Sequence, residues 1–226
     1  GWVYGLSVLS SLMQTGNIKK AILLAGDARK QAKEELDQLF GYACTATALE
    51  YSKEAKPFYF DLGTDGTGYD AIIRPGGGCR NQFNEDSLKL ELCEDGRKRH
   101  AIQTRMKGMD VFAFGITTAP KSIKKLTANY EMDYTSFDYV ILHQANYKMT
   151  ETIRKKLKLD AEKMPYSMLH FGNTSSASIP LTIVTQLKGK IEDKPTKIIG
   201  CAFGVGLSWG TVAFETEHLL ISELVE

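Results

Sequence analysis

Apolar residues near the start of the chain recur at the spacing of one helix face, which predicts a helix over residues 2–13 that ends at Gly16. A short continuous apolar run over residues 21–25 is typical of a buried strand. Residues 27–38 are charged and favour a helix, and residues 40–51 indicate a second strand. The apolar positions of the first helix are Trp2, Leu6, Leu9 and Met13.

The rest of the chain divides into further strands and helices. Alternation of leucines with charged residues over 88–92 predicts a half-exposed strand. A glycine-rich segment joins the last two predicted strands. The remaining strands are predicted at residues 139–142, 198–203 and 211–214. The helices are predicted at residues 106–114, 123–129, 148–158 and 179–187.

The order of these elements indicates the fold class and a division of the chain. Strands that alternate with helices are typical of an α/β fold. The charged segment from Ser52 to Pro57 separates two units, which we place at residues 1–56 and 57–226.

The composition argues against several classes of protein. Hydrophobic residues make up 43% and charged residues 24%, as in ordinary globular proteins, and the net charge of +1 argues against a nucleic-acid partner. No apolar run approaches the roughly 18–20 residues of a membrane-spanning helix, and no signal peptide is recognisable. The four cysteines are scattered without ligand spacing, which indicates free thiols in the cytoplasm and no metal site.

A histidine directly follows the strand predicted at residues 139–142. Ligands of open α/β sheets gather at the C-terminal ends of strands, so His143 is a candidate site residue. A structural histidine is the alternative interpretation. The residues that follow, Gln144, Ala145 and Asn146, favour a site because small and amide side chains leave room for a ligand.

Two further segments offer hydrogen-bond donors. Asn173 lies in a run of small polar residues, where it is either a helix N-cap or a donor to an oxygen that gains negative charge. The segment Gly204–Gly206 is either a bulged hairpin or a place where backbone N–H groups approach a substrate closely. One such donor to an oxyanion contributes about 3–4 kcal/mol to the rate.

Six stretches of the chain resemble, in order and with similar spacing, the ketoacyl-ACP synthase III family of the thiolase superfamily. The pairing of a histidine with an asparagine separates this resemblance from the Cys-His-His synthases. The resemblance implies a layered αβαβα sandwich, with the C-terminal half complete and the N-terminal half truncated. The matching stretches are Gly1–Leu6, Leu39–Gly41, Gly108–Phe112, His143–Asn146, Gly172–Pro180 and Phe203–Gly210.

By this resemblance, the activity is the decarboxylative condensation of acyl-CoA with malonyl-ACP in fatty acid biosynthesis, with no cofactor. A cysteine takes up the acyl group as a thioester. His143 and Asn173 hydrogen-bond the malonyl thioester carbonyl and stabilise the enolate that forms as carbon dioxide leaves. The backbone N–H of Val205 is one member of the oxyanion hole.

The resemblance also implies binding residues and partners. Gly108, Phe112 and Asn146 match positions that line the pantetheine channel, and Gly204 and Gly206 lie beside the substrate. A basic helix face receives the acyl carrier protein, although a solvated surface is the alternative interpretation. The full-length protein is expected to be a homodimer without nucleic-acid or membrane partners. The lysines of that face are Lys148, Lys155 and Lys156.

Two departures from the family pattern shape the expectations. The family's nucleophilic cysteine lies two residues before the position of Gly1, so we expect it outside this chain and expect this chain alone to be inactive. Members of the family have the sequence Gly-Asp-Gly-Ala-Gly at the position where this chain has Gly-Tyr-Ala-Cys-Thr, at Gly41–Thr45. Two alternatives stay open: a non-catalytic module or pseudoenzyme that binds acyl carrier protein, and a relative that acylates a hydroxyl or amine in secondary metabolism.

Overall fold

The computed structural model describes residues 1–27 and 39–225, so the charged segment at 28–38 lies outside the described residues. The first helix is confirmed as α1 (Trp2–Gln14), and the first strand is confirmed in position as β1 (Lys20–Gly26). The prediction that this strand is buried is wrong, because only one of its faces packs on the core around α1 while Ile22 and Leu24 are exposed on the other. The predicted strand over residues 40–51 is shorter, because β2 covers only Cys44–Glu50 and pairs antiparallel with β1.

Residues 59–107 contain one long strand and several short ones. β3 begins the main sheet, β4 pairs with β7, and β5 pairs with β6. Of the half-exposed strand predicted over 88–92, only residues 91–92 are extended, as β5, and both are exposed. Leu88 instead ends a helical turn over residues 85–88, which is held by capping hydrogen bonds exchanged between Asn84 and Ser87. The bounds are β3 Tyr59–Thr64, β4 Ile72–Ile73, β5 Glu91–Leu92, β6 Lys98–Arg99 and β7 Arg105–Met106.

The two helices predicted over residues 106–129 are a single helix, α2 (Gly108–Asn129), with Pro120 in its interior. Its buried face runs without a break through the proline, from Gly115 past Ala119 to Ile123 and Leu126. The stabilisation from this continuous packing against the sheet is larger than the cost of the one helical hydrogen bond that Pro120 cannot donate.

The predicted strand and helices after residue 130 are confirmed in position. The last helix continues beyond its α-helical part as one π-helical turn, Ile183–Leu187. The glycine-rich connection is shorter than predicted, because Gly204 ends one strand and Ser208 begins the next. The bounds are β8 Tyr139–Leu142, α3 Tyr147–Leu157, α4 Met168–Phe171, α5 Ser178–Thr182, β9 Thr196–Gly204 and β10 Ser208–Thr216.

The main sheet has the order β3-β10-β9-β8, in which only the β8–β9 pair is parallel. Helices α2 and α3 pack on one face against Val140, Leu142 and Ile199. Helices α1 and α5 pack on the other face against Ile141 and Ile198. The alternation of strand side chains thus creates two apolar cores, one on each side of the sheet.

The strand pairing brings two of the predicted site segments to the same end of the sheet. These are the C-terminal end of β8 and the turn that joins β9 to β10. Within the described residues, no helix is long and apolar enough to cross a membrane. The division at residues 56 and 57 stays a prediction, although the core around α1 contains residues from both sides of it.

Candidate active site

His143 follows directly on β8 and is held at both its backbone and its ring. Its N–H donates to the Cys201 carbonyl at 2.8 Å, which extends the β8–β9 pairing by one residue. Its Nδ1 lies 2.8 Å from the Ser178 hydroxyl oxygen. The edge-to-face contact with the Phe203 ring, at 5.6 Å between centroids, fixes the plane of the imidazole.

The surroundings of His143 keep its imidazole neutral. Burial lowers the pKa of His143 to about 4, and a backbone hydrogen bond with Ser175 acts in the opposite direction. At pH 7 the ring therefore offers one N–H donor and one nitrogen acceptor.

Asn173 is buried, and its side-chain oxygen accepts from the Ser175 N–H at 2.9 Å. This bond closes a local turn, and the predicted helix N-cap role of Asn173 is wrong, because Thr174 precedes the helical turn at residues 175–177. The side-chain NH₂ group of Asn173 is left to donate. Because Asn173 bonds to Ser175 and His143 bonds to Ser178, both candidate donors are attached to the same four-residue turn. The structure thus brings together the two residues that the sequence predicted as a pair.

The segment before Asn173 crosses residues 39–41 so closely that only glycine fits. The Asn173 N–H donates to the Leu39 carbonyl at 2.8 Å, and the Gly41 N–H donates back to the Asn173 carbonyl at 3.1 Å. Gly172 has φ +63°, and a Cβ there would lie 2.9 Å from the Leu39 oxygen. A Cβ at Gly41 would lie 1.7 Å from the Phe171 carbonyl oxygen. The crossing therefore fixes the backbone of Asn173.

The Val205 N–H lies in the tight turn that joins β9 to β10. Mutual backbone hydrogen bonds of Leu207 with Asp65, at 2.7 and 2.9 Å, anchor this turn. Gly206 has φ +134°, which strongly favours glycine. Among the residues that the structure describes, no backbone carbonyl pairs with the Val205 N–H, and Val205 is exposed.

The start of α1 opens onto the same turn. A Cβ at Gly1 would lie 3.1 Å from the Cβ of Ser176, within the turn that carries the His143 and Asn173 contacts. The N-terminus of this helix therefore points at the candidate site.

The four cysteines lie elsewhere. Cys201 is buried in the core, where the Thr211 hydroxyl donates to its sulfur at 3.2 Å and burial raises its pKa to about 12. Cys44 and Cys79 are exposed, and Cys93 is half-buried. In the described part of the chain, no hydrogen bond joins a cysteine thiol to the His143 or Asn173 side chain. Nor do the described residues contain a cluster that could hold a metal ion.

The residues predicted to line the channel and to bind the carrier protein lie on α2 and α3. Asn146 caps α3, because its side-chain oxygen accepts from the Met149 N–H at 2.9 Å.

The Lys148 ammonium lies 5.9 Å from the centre of the Phe112 ring. The Lys156 ammonium donates to the Ile116 carbonyl at 3.0 Å, which ties α3 to α2. Gly108 is the first residue of α2, and Lys155 lies in the last turn of α3.

The sequence interpretation missed two residues that hold the imidazole. Ser178 contacts its Nδ1, and Phe203 packs against its ring. Both lie inside stretches that carried the family resemblance, which was the available signal. Their contacts depend on which side chains the turn 175–178 and β9 present to β8, and spacing along the chain does not encode this.

A mixed sheet between two helical layers, with a histidine, an asparagine and a glycine-rich turn at one end of its strands, defines a thiolase-like fold. A family model described as 3-oxoacyl-[acyl-carrier-protein (ACP)] synthase III C terminal matches residues 127–216. The beta-ketoacyl-[acyl-carrier-protein] synthase III of Clostridium tetani is 30% identical over 218 residues, which cover 92% of this chain and 63% of the relative.

Two solved structures extend the similarity to three dimensions. A crystal structure of 3-oxoacyl-(acyl-carrier-protein) synthase III has a TM-score of 0.87 and 31% identity, covering 95% of this chain and 65% of that chain. The corresponding synthase from Burkholderia xenovorans LB400 has a TM-score of 0.85 and 32% identity, covering 99% and 63%. The chain belongs to the beta-ketoacyl-ACP synthase III family and spans about 63% of the length of the Clostridium tetani relative.

Proposed function

We propose that the whole protein catalyses the decarboxylative condensation of an acyl-CoA with malonyl-ACP in fatty acid biosynthesis. The observation that carries this proposal is the attachment of His143 and Asn173 to one turn, with the side-chain NH₂ group of Asn173 left to donate to a ligand. Relatives named beta-ketoacyl-[acyl-carrier-protein] synthase III support the same reaction.

In the proposed reaction, the neutral imidazole of His143 and the amide of Asn173 donate to the malonyl thioester oxygen. The bond to the carboxylate breaks, carbon dioxide leaves, and the electron pair spreads onto that oxygen as an enolate. The enolate carbon then attacks the acyl-cysteine carbonyl, whose oxyanion accepts from the Val205 N–H, and the thiolate leaves. Each such donor contributes on the order of 10²–10³-fold to the rate.

The acyl group needs a nucleophile, and we propose that it is a cysteine two residues before Gly1 in the whole protein. The start of α1 lies beside Ser176, so a residue just before Gly1 would enter the site. A helix N-terminus lowers the pKa of a thiol, which favours the nucleophilic thiolate. This chain by itself is then expected to be inactive.

The proposal includes the partners of this reaction. Acyl-CoA and malonyl-ACP are its substrates, no cofactor takes part, and the full-length protein acts as a cytoplasmic homodimer. The pantetheine arm passes Gly108, Phe112 and Asn146. The acidic carrier protein binds the lysines of α3, which are Lys148, Lys155 and Lys156.

The test is product analysis with the full-length protein, acetyl-CoA and malonyl-ACP. Mass spectrometry should show 3-oxobutyryl-ACP. Replacing His143 or Asn173 with Ala should lower the rate by on the order of 10²–10³-fold, whereas the remote Ser122→Ala should change it little. An ester or amide product would reject condensation in favour of acylation of a hydroxyl or amine. Binding of acyl-ACP without turnover would reject the enzymatic function and support the alternative of a non-catalytic module that binds acyl carrier protein.

A further inference from the structure

Gln144, the residue after His143, is completely buried and makes three hydrogen bonds. Its Oε1 accepts from the N–H groups of Ser167 and Met168, at 3.1 and 3.3 Å. Its Nε2 donates to the Leu142 carbonyl at 2.8 Å. Because two neighbours present N–H groups and the third presents a carbonyl, only this orientation of the amide satisfies all three.

These bonds continue as a closed circuit that returns to the imidazole. The Ser167 and Thr182 hydroxyl oxygens lie 2.7 Å apart, and the Thr182 hydroxyl donates to the Ser178 carbonyl at 2.8 Å. Since Thr182 uses its one proton there, the Ser167 hydroxyl donates to Thr182. Ser178 closes the circuit through its 2.8 Å contact with the His143 Nδ1. The side chains of Gln144, Ser167, Thr182 and Ser178 are all buried.

The Gln144 amide is also linked indirectly to Asn173, the second candidate donor of the site. Ser167 and Met168 begin the short helix α4, and the Ser167 carbonyl accepts from the Phe171 N–H at 3.0 Å. Asn173 follows two residues after this helix ends. Gln144 is therefore joined to His143 by the chain and to Asn173 through a single helical turn.

We propose that Gln144 is a positioning residue that sets the separation and orientation of the His143 and Asn173 donors. This inference rests on the proposed function of that pair. Removing the amide would leave two N–H groups and one carbonyl without partners, so the α4 segment would shift to satisfy them. A misplacement of about 1 Å at a reacting group costs on the order of 10²-fold in rate.

The test separates the two halves of the reaction in the full-length protein. In Gln144→Met, which keeps the side-chain length but removes its hydrogen bonds, kcat for malonyl-ACP decarboxylation should fall roughly 10- to 100-fold. KM for malonyl-ACP and the rate of acyl loading from acetyl-CoA should stay near the wild-type values. Equal losses in both steps, in proportion to the unfolded fraction, would overturn the inference.

Ser122→Ala is the matched control. Ser122 is also buried, and its hydroxyl donates to Asp61 and contacts Thr211, both at 2.7 Å, outside the candidate site. It should lose stability without a selective loss of decarboxylation. A selective loss equal to that of Gln144→Met would show that any buried polar deletion has this effect.

A readout without catalysis distinguishes this inference from the proposed function. With ¹⁵N-labelled histidine, the His143 ring should show one tautomer in the wild type and a mixture of tautomers in Gln144→Met. Where Gln144→Met does not fold, Thr182→Val breaks the same circuit and should give the same change. An unchanged ring spectrum would reject the positioning role. A wild-type protein that does not decarboxylate malonyl-ACP would instead reject the proposed function.

Discussion

At the scale of single residues, the backbone around Asn173 depends on a glycine for two separate reasons. Gly172 has φ +63°, which an L side chain rarely adopts, and it also approaches the Leu39 oxygen and the Gly41 nitrogen. Gly96 has a similar φ of +76°, but no atom lies within 4 Å of its Cβ position. The two positions therefore separate backbone strain from steric contact.

We expect Gly172→Ala to lower the free energy of unfolding by about 3–5 kcal/mol, because strain and a backbone collision add. Gly96→Ala should lose only about 1–2 kcal/mol, from strain alone. Urea denaturation of the two variants measures the difference. Gly172→Ala should also lose condensation activity, since Asn173 follows it. Equal losses of stability would show that the contact at Leu39 relaxes freely.

The depressed pKa of His143 predicts a loss of stability in mild acid. The unfolded histidine takes up a proton near pH 6.5, whereas the folded imidazole resists protonation until about pH 4. The unfolded state therefore binds more protons between these values, and acidification destabilises the fold by at most about 1.4 kcal/mol per pH unit. Below pH 4 this contribution to the loss is complete.

The measurement is the unfolding free energy of the wild type and of His143→Gln between pH 7 and pH 4.5. Carboxylates titrate equally in both proteins, so the difference between the two curves isolates His143. The wild type should lose more stability than the variant across this interval. Parallel curves would show that the folded imidazole titrates normally.

At the scale of elements, the sequence predicted those whose apolar pattern reflects burial on one face. The first helix and the buried strands at residues 139–142 and 198–203 were found in this way, because their packing repeats along the chain. The break placed between residues 114 and 123 was wrong, since packing on the sheet carries α2 through Pro120. The strand over residues 88–92 was right only for residues 91–92, because a local cap holds Leu88 in a helical turn.

The packing of α2 against α3 predicts the effect of a single methyl group. A Cβ at Gly115 would lie 2.6 Å from the Met149 sulfur and 2.9 Å from the Phe203 ring. Gly115→Ala should therefore lower the free energy of unfolding by about 1–3 kcal/mol and displace the ring that packs on His143. Thermal unfolding is the measurement. Gly108→Ala, which adds a methyl group to open space on the same helix, should be neutral or slightly stabilising. Similar melting temperatures for both variants would contradict the prediction.

At the scale of the whole molecule, the sequence predicted the layered class of fold and the pairing of His143 with Asn173. It could not predict the crossing of residues 39–41 over the Asn173 loop or the hydrogen-bond circuit through Gln144. Those contacts join segments that are distant in sequence, and each depends on the position of the others. Helix α1 shows the same dependence, because its apolar face packs on the central sheet and its Trp2 indole N–H donates to Thr47 at 2.9 Å.

The buried position of Trp2 predicts that α1 and the main sheet unfold together. Trp2→Ala should lower the free energy of unfolding by about 3–5 kcal/mol, because it removes an indole that lies between β2 and Gly200 of β9. Thr47→Val removes only the hydrogen-bond partner and should lose about 0.5–1.5 kcal/mol. Near-ultraviolet circular dichroism reports the aromatic core, and far-ultraviolet circular dichroism reports the sheet and helices. In each variant the two signals should change in one coincident transition, because the core that α1 shares with β8 and β9 forms only when all three are in place. Two separated transitions, or equal losses from the two substitutions, would show that α1 contributes little to the stability of the sheet that carries His143.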